Sequence, residues 1–235
     1  MTEPTDLITV SVDPTNPGQF FACCGLLELA DRLWPGAEGW FAEGGREFHI
    51  ACDGTLTGIA DALRTTGVVG ALTPALQQER EGLELEKRRL KKLRQKLPGA
   101  LEKRRKELGN LFRAGSLKLP TPFDLLLDWW RSDDESIPKT WAGSQAVIRI
   151  ALAAHDGCVR LLTHELPFQE YRVMRPAVAS ADDEVEEEES GDKVEPFYFD
   201  AQRGSNALAR DIGFVPDALQ IETHASPVVE FLTLV

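Results

Sequence analysis

In the first seventy residues, segments with the two-residue apolar period of a strand alternate with segments that have the 3.6-residue period of a helix. The order of these segments restricts the fold. "LITVSVD" (residues 7–13) alternates apolar and polar residues, which predicts a strand with one buried face. Over residues 19–34 the apolar residues recur at helical spacing, after a turn with Asn16 as candidate N-cap and Pro17 as first helical residue. Two strand-like runs around the glycines at 44–45 predict a hairpin, and "TLTGIADALRTTG" predicts a second helix. The predicted order is strand, helix, strand, strand, helix.

That order contains five of the six elements of a ferredoxin-like or RRM-like unit. The sixth element is a fourth strand, which we expect at "CVRLLTHEL" (residues 158–166), after a helix in "AGSQAVIRIALAAHDG". We therefore predict an α+β fold, a ferredoxin-like/RRM-like unit with an inserted helical hairpin. Residues 1–70 would form the first part of the core, residues 71–115 the insertion, and residues 116–235 the remainder. Within that remainder, a stretch at about 180–194 has the acidic composition of a disordered loop.

The insertion carries a heptad repeat of leucines. Four leucines are spaced by seven residues, and two more repeat that interval beyond Pro98-Gly99: Leu76, Leu83, Leu90, Leu97, Leu101 and Leu108. The proline and glycine break the pattern, which predicts two helices at about 75–97 and 100–113. Two helices joined by a tight turn form an antiparallel hairpin, with the leucines facing inward and the charged residues outward.

Charge is strongly segregated between this insertion and the rest of the chain. Residues 79–107 contain 12 Lys/Arg and 6 Asp/Glu, whereas the remaining 206 residues contain 14 basic and 32 acidic side chains. A basic element on an acidic body indicates contact with a nucleic-acid backbone, although many charged helix faces are only solvated. The candidate contact residues on the hairpin are Arg88, Arg89, Lys91, Lys92, Arg94, Lys103, Arg104 and Arg105. Two loop residues, Arg203 and Asn206, are further candidates, although loop asparagines also suit ordinary left-handed turns.

The sequence contains no pattern that predicts a catalytic site, a metal site or a cofactor. The four cysteines include no CxxC pair, and Cys23 and Cys24 lie in an apolar helix where we expect both to be buried hydrophobes. The four histidines share no metal-ligand spacing, and no nucleotide-binding or hydrolase motif is present. No apolar run reaches the roughly 18 residues of a membrane span, so we expect a cytoplasmic protein with no membrane partner.

Three blocks of the sequence resemble a family of CRISPR-associated proteins. The blocks are "DPTNPGQFFACCGLLELADRLWPGAEGWF", "LLLDWW" with "KTWAGSQ", and "FYFDAQRGSNALARDIGFVPDAL". They are similar to the RAMP-like subunits of type I-U (I-G) effector cassettes, which are built on RRM-like units with insertions. The resemblance implies a role in antiviral defence, as a non-catalytic subunit that binds guide RNA and/or target DNA together with other CRISPR effector subunits.

Two alternatives stay open on the sequence alone. A metal-independent guide-RNA-processing endoribonuclease would need only a His, Tyr or Lys placed by the fold as acid or base. A protein-interaction scaffold would instead dock a partner through the helical hairpin, and the charges of the hairpin would serve only solubility.

Overall fold

The computed structural model describes residues 6–70, 72, 74–114, 117–127, 147–175, 193–200 and 224–235. Within these residues the fold is mixed α+β, as the sequence predicts, with six α-helices and three small antiparallel sheets. The strands are β1 (Asp6–Ser11), β2 (Glu38–Ala42), β3 (Glu47–Cys52), β4 (Lys118–Leu119), β5 (Leu125–Leu126), β6 (Arg172–Val173) and β7 (His224–Ala225). The helices are α1 (Pro17–Leu33), α2 (Leu56–Thr66), α3 (Pro74–Lys92), α4 (Gly99–Ala114), α5 (Val147–Leu161) and α6 (Pro227–Leu232).

The N-terminal sheet follows the predicted order of elements. β3 lies between β1 and β2 and is antiparallel to both, so β1 and β2 run parallel and are connected by α1. The alternation of the sequence places Ile8 and Val10 on the buried face, opposite Ile50 and Phe48 of β3. Leu7 lies on the other face and is exposed. One face of the sheet therefore packs on the core, and the other face meets solvent.

The local signals for α1 are confirmed. The side-chain Oδ1 of Asn16 accepts a hydrogen bond from the Gly18 N–H at 3.1 Å, and Pro17 is the first helical residue. Cys23 is buried on the core face of this helix, but Cys24 is exposed. The expectation that both cysteines are buried is thus wrong for Cys24, because successive side chains on a helix point about 100° apart.

The predicted fourth strand at residues 158–166 is wrong. α5 continues through Leu161, so Cys158 and Val159 lie on a helix, where both are buried. The helix continues through Gly157, which allows a close contact with α6. A Cβ atom at this position would lie 2.4 Å from Cβ of Pro227. A glycine that accommodates a neighbouring helix has the same appearance in the sequence as a helix stop.

The apolar C-terminal segment is buried. Ser226 caps α6, and Val228, Val229, Phe231 and Leu232 are all inaccessible to solvent. The segment packs between the helices α1 and α5. These helices, together with α2, form one continuous apolar core with the buried face of the sheet.

The remaining strands form two separate two-stranded sheets, β4 with β5 and β6 with β7. Within the described ranges no fourth strand joins the β1-β3-β2 sheet.

None of the helices that the structure describes is long and apolar enough to cross a membrane. The acidic stretch 182–192 lies outside the described residues.

Candidate nucleic-acid interface

α3 and α4 form the antiparallel hairpin that the leucine repeat predicts. α3 ends at Lys92 and not near residue 97, since the N–H of Arg94 bonds to the Lys91 carbonyl at 3.1 Å in a tighter turn. Arg94 itself has a left-handed backbone, with φ of 56°. The chain then re-enters a helix at Gly99, after Pro98 accepts a hydrogen bond from the Glu102 N–H at 2.9 Å. The connection at residues 93–98 is therefore an ordered turn.

The heptad leucines are only partly buried between the two helices. Leu108 is fully buried, and four of the leucines are half-buried: Leu76, Leu83, Leu90 and Leu97. Leu101 is exposed, so the expectation that it faces inward is wrong. It follows Pro98-Gly99 by only two residues, where α4 has just begun. Other leucines of the hairpin, outside the heptad, are exposed as well: Leu85, Leu93 and Leu111.

Two of the candidate arginines form ion pairs between α4 and α3. Arg104 binds Glu79 with two hydrogen bonds, from Nε to Oε1 at 2.8 Å and from Nη2 to Oε2 at 2.9 Å. Arg105 donates to Glu84 at 2.6 Å and to Glu102 at 2.8 Å, and its side chain is only 18% exposed. The hydrogen bonds from Arg104 hold the pKa of Glu79 below its usual value, and those from Arg105 act likewise on the pKa of Glu102.

Both arginines are therefore engaged by carboxylates inside the hairpin. A guanidinium held in this way has few donors left for a phosphate oxygen. The structure thus separates the candidates into two groups, because these two arginines hold the hairpin together whereas the others point toward solvent. The exposed candidates are Arg88, Arg89, Lys91, Lys92, Arg94 and Lys103. Among them Arg89 approaches the Glu86 carboxylate at 3.1 Å, in a surface pair within one helix.

The exposed cations gather at the hairpin tip. Residues 87–101 contain seven Lys/Arg and no Asp/Glu, whereas residues 75–86 contain four Glu and one Arg. The cations in the last turn of α3 also lie at the negative end of its helix dipole, which stabilises them there. The sequence prediction omitted Lys96, which is exposed and belongs to the same acid-free run. Counting acids as well as bases along the hairpin would have found it.

The two predicted loop contacts, Arg203 and Asn206, lie outside the described residues. The charge asymmetry of the hairpin is therefore the feature on which the candidate interface depends.

The histidines and cysteines have local structural contacts. His155 is buried, with Nε2 3.2 Å from the Leu63 carbonyl, and His49 Nδ1 lies 2.9 Å from the Thr9 hydroxyl. Burial raises the pKa of the Cys23 thiol to about 12, which disfavours the thiolate. Within the described ranges no group of three or more His, Cys, Asp or Glu is placed to hold a metal ion.

Comparison of the chain with family models, with curated proteins and with solved structures finds no match in any of the three. A function for this chain is therefore inferred from its own residues and from the resemblance of the three sequence blocks.

Proposed function

We propose that this chain is a non-catalytic subunit of a CRISPR type I-U/I-G effector complex and that its helical hairpin contacts guide RNA or target nucleic acid. The observation that carries the proposal is the hairpin tip, where seven Lys/Arg occur over residues 87–101 without a single carboxylate. The proposed setting is cytoplasmic, with other effector subunits as protein partners.

Electrostatics support a contact with phosphates in particular. The chain has a net charge of −12, so a general attraction to nucleic acid is absent and any attraction must be local. Exposed Lys and Arg at one tip neutralise phosphates and release counterions, which gives salt-dependent and largely sequence-independent affinity. The interhelical pairs of Arg104 and Arg105 would hold the two helices in register and so fix the positions of these cations.

The topology supports a RAMP-type core as part of the same proposal. A strand that lies between two parallel strands joined by a helix is the arrangement of three of the four strands of a ferredoxin-like unit. In a ferredoxin-like unit the fourth strand pairs with the outer edge of the first, which here is the edge of β1. The hairpin would then be an insertion between α2 and the second half of this core.

The exposed leucines of the hairpin favour a second candidate function. Leu85 is 64% exposed and Leu93 is 59% exposed, which is unusual for a helix that only carries solvated charge. In this alternative the hairpin docks a protein subunit through its leucines, and the cations flank that contact.

Binding of labelled CRISPR repeat RNA and of single-stranded DNA, measured over a series of salt concentrations, tests the proposal. The test variant changes Arg88, Arg89, Lys91 and Lys92 together to Glu. We expect weaker binding and a slope of log affinity against log salt that is shallower by about 3, because four phosphate contacts on a single strand are lost.

A control variant separates a local contact from a general effect of charge. It changes four exposed cations away from the hairpin to Glu, and so alters the net charge equally: Arg46, Arg64, Lys118 and Arg160. Equal losses in both variants, or an unchanged affinity and slope in the hairpin variant, would contradict the proposal. Cleavage of the repeat RNA by the purified protein would instead support the endoribonuclease alternative.

A further inference from the structure

The hairpin tip is an exposed projection. Every side chain of residues 91–96 is exposed, and four of these six residues are cations: Lys91, Lys92, Arg94 and Lys96. The fully buried Leu108 follows Gly99 by nine residues, which is about 13 Å along α4. A nucleic acid at the tip therefore meets the blunt end of two helices.

The backbone of the tip is held by hydrogen bonds. The Leu90 carbonyl accepts from the Leu93 N–H at 3.0 Å and from the Gln95 N–H at 2.8 Å. Farther from the tip, Arg104 and Arg105 join α4 to α3 through their ion pairs with glutamates. The tip cations are thus attached to an ordered support. Binding to the regular phosphate rows of a rigid ligand then orders little further backbone.

The hairpin lacks the side chains on which single strands stack. From residue 74 to residue 111 the sequence contains no Phe, Tyr, Trp or His. Proteins that bind single strands combine a basic groove with aromatic side chains, and base stacking supplies much of their affinity. A single strand at this tip would be held chiefly through its phosphates.

We propose that the hairpin tip binds double-helical nucleic acid, in particular a hybrid of RNA and DNA, in preference to either single strand. When cations alone make the contact, affinity follows the density of phosphates, and a duplex presents the phosphates of two strands. An A-form helix also has a wide, shallow minor groove, across which a blunt tip can approach both strands. This inference rests on the proposed function and narrows its ligand to guide RNA that is paired with target DNA.

Fluorescence anisotropy of labelled probes with the full-length protein tests this preference. The probes are an RNA–DNA hybrid of about 20 base pairs, each of its two single strands, and a second hybrid of unrelated sequence. At the same salt concentration, we expect the two hybrids to bind equally and several-fold more tightly than either single strand. Equal binding of the two hybrids is expected because phosphate contacts carry no sequence information.

A variant of the tip assigns the preference to these cations. Lys91, Lys92, Arg94 and Lys96 are changed together to Gln, which removes four charges and leaves the pairs of Arg104 and Arg105 intact. We expect weaker binding of the hybrid, a salt slope shallower by about 3–4, and loss of the preference over single strands. The matched control changes four exposed cations outside the hairpin to Gln and should keep the preference: Arg46, Arg64, Lys118 and Arg160.

The outcomes separate this inference from the proposed function. Equal or tighter binding of a single strand by the wild type would overturn the inference while the contact with nucleic acid remains. A preference that persists in the tip variant, is lost equally in the control, or distinguishes the two hybrids would also overturn it. Absence of binding to all four probes would overturn both the inference and the proposed function.

Discussion

Gly25 of α1 approaches the backbone of α6 so closely that a Cβ atom at this position would lie 1.9 Å from the carbonyl oxygen of Leu232. Because the obstructing atom belongs to a buried backbone, no side-chain rotation relieves the clash. Gly25→Ala should therefore push α6 out of its position and lower the free energy of unfolding by about 1–3 kcal/mol. Urea denaturation followed by circular dichroism measures this loss.

The control for that change is another helical glycine with open space around it. Nothing lies within 4 Å of a Cβ atom built on Gly82 in α3. Gly82→Ala should stabilise the protein by roughly 0.5–1 kcal/mol, because alanine loses less backbone entropy in a helix. If Gly25→Ala stabilised the protein as Gly82→Ala does, the packing of α6 against α1 would be wrong.

The candidate cations of the hairpin should divide into two functional groups. Lys92→Ala removes an exposed cation and should reduce the salt slope of RNA binding by about 0.7, the share of one phosphate contact. Arg105→Ala breaks the pairs with Glu84 and Glu102 and should lower thermal stability while changing the slope much less. Binding isotherms at several salt concentrations and melting curves of both variants check this division. A larger slope change in Arg105→Ala than in Lys92→Ala would reverse the assignment.

The four thiols should differ sharply in reactivity. Cys24 is exposed, whereas Cys23, Cys52 and Cys158 are buried, and desolvation by burial raises the thiol pKa of both Cys23 and Cys158. A thiol-alkylating reagent should therefore modify one cysteine in the native protein and four after denaturation. The modification of Cys24 should be slow at neutral pH, since the pKa of its thiol is raised as well. Intact mass measured over time counts the modified thiols, and rapid labelling of two or more would contradict the burial.

Local signals made part of this fold predictable. Asn16 and Pro17 begin α1, and Pro98 separates α3 from α4, because capping and proline geometry act over a few residues and do not depend on the rest of the chain. The basic tip could also be predicted, since it is a matter of composition along one short segment.

The long-range packing could not be predicted from the same signals. Gly157 has the appearance of a helix stop, and "CVRL" that of a strand, until Pro227 of α6 is known to pack on that glycine. The burial of Glu230, an acidic residue within an apolar segment, depends on contacts with residues 197–200 that lie thirty positions earlier. Interhelical pairing of Arg104 with Glu79 likewise depends on the register of two helices, which the leucine repeat alone leaves open.

Glu230 gives the sharpest prediction for the dependence of stability on pH. Its side chain is inaccessible to solvent on α6, and Oε1 accepts a hydrogen bond from the Asp200 N–H at 3.2 Å. Oε2 has no hydrogen-bond partner in the described part of the chain. Desolvation raises the pKa of this carboxyl group to about 7, and the nearby Asp200 carboxylate adds to the shift.

The raised pKa determines the direction of the effect. Between the unfolded value of 4.5 and the folded value of about 7, the native state binds more protons than the unfolded state, so stability falls as pH rises. The contribution is fully present below about pH 4.5 and is lost above about pH 7, with a total on the order of 3 kcal/mol.

Glu230→Gln keeps the shape and one acceptor but cannot ionise. We expect this variant to be close to the wild type at pH 5 and more stable at pH 8, in urea denaturation at both values. Glu28→Gln, on the surface of α1, is the control for the loss of a carboxylate elsewhere in the chain. A difference between Glu230→Gln and the wild type that stays constant from pH 5 to pH 8 would show that this carboxyl group titrates alike in both states.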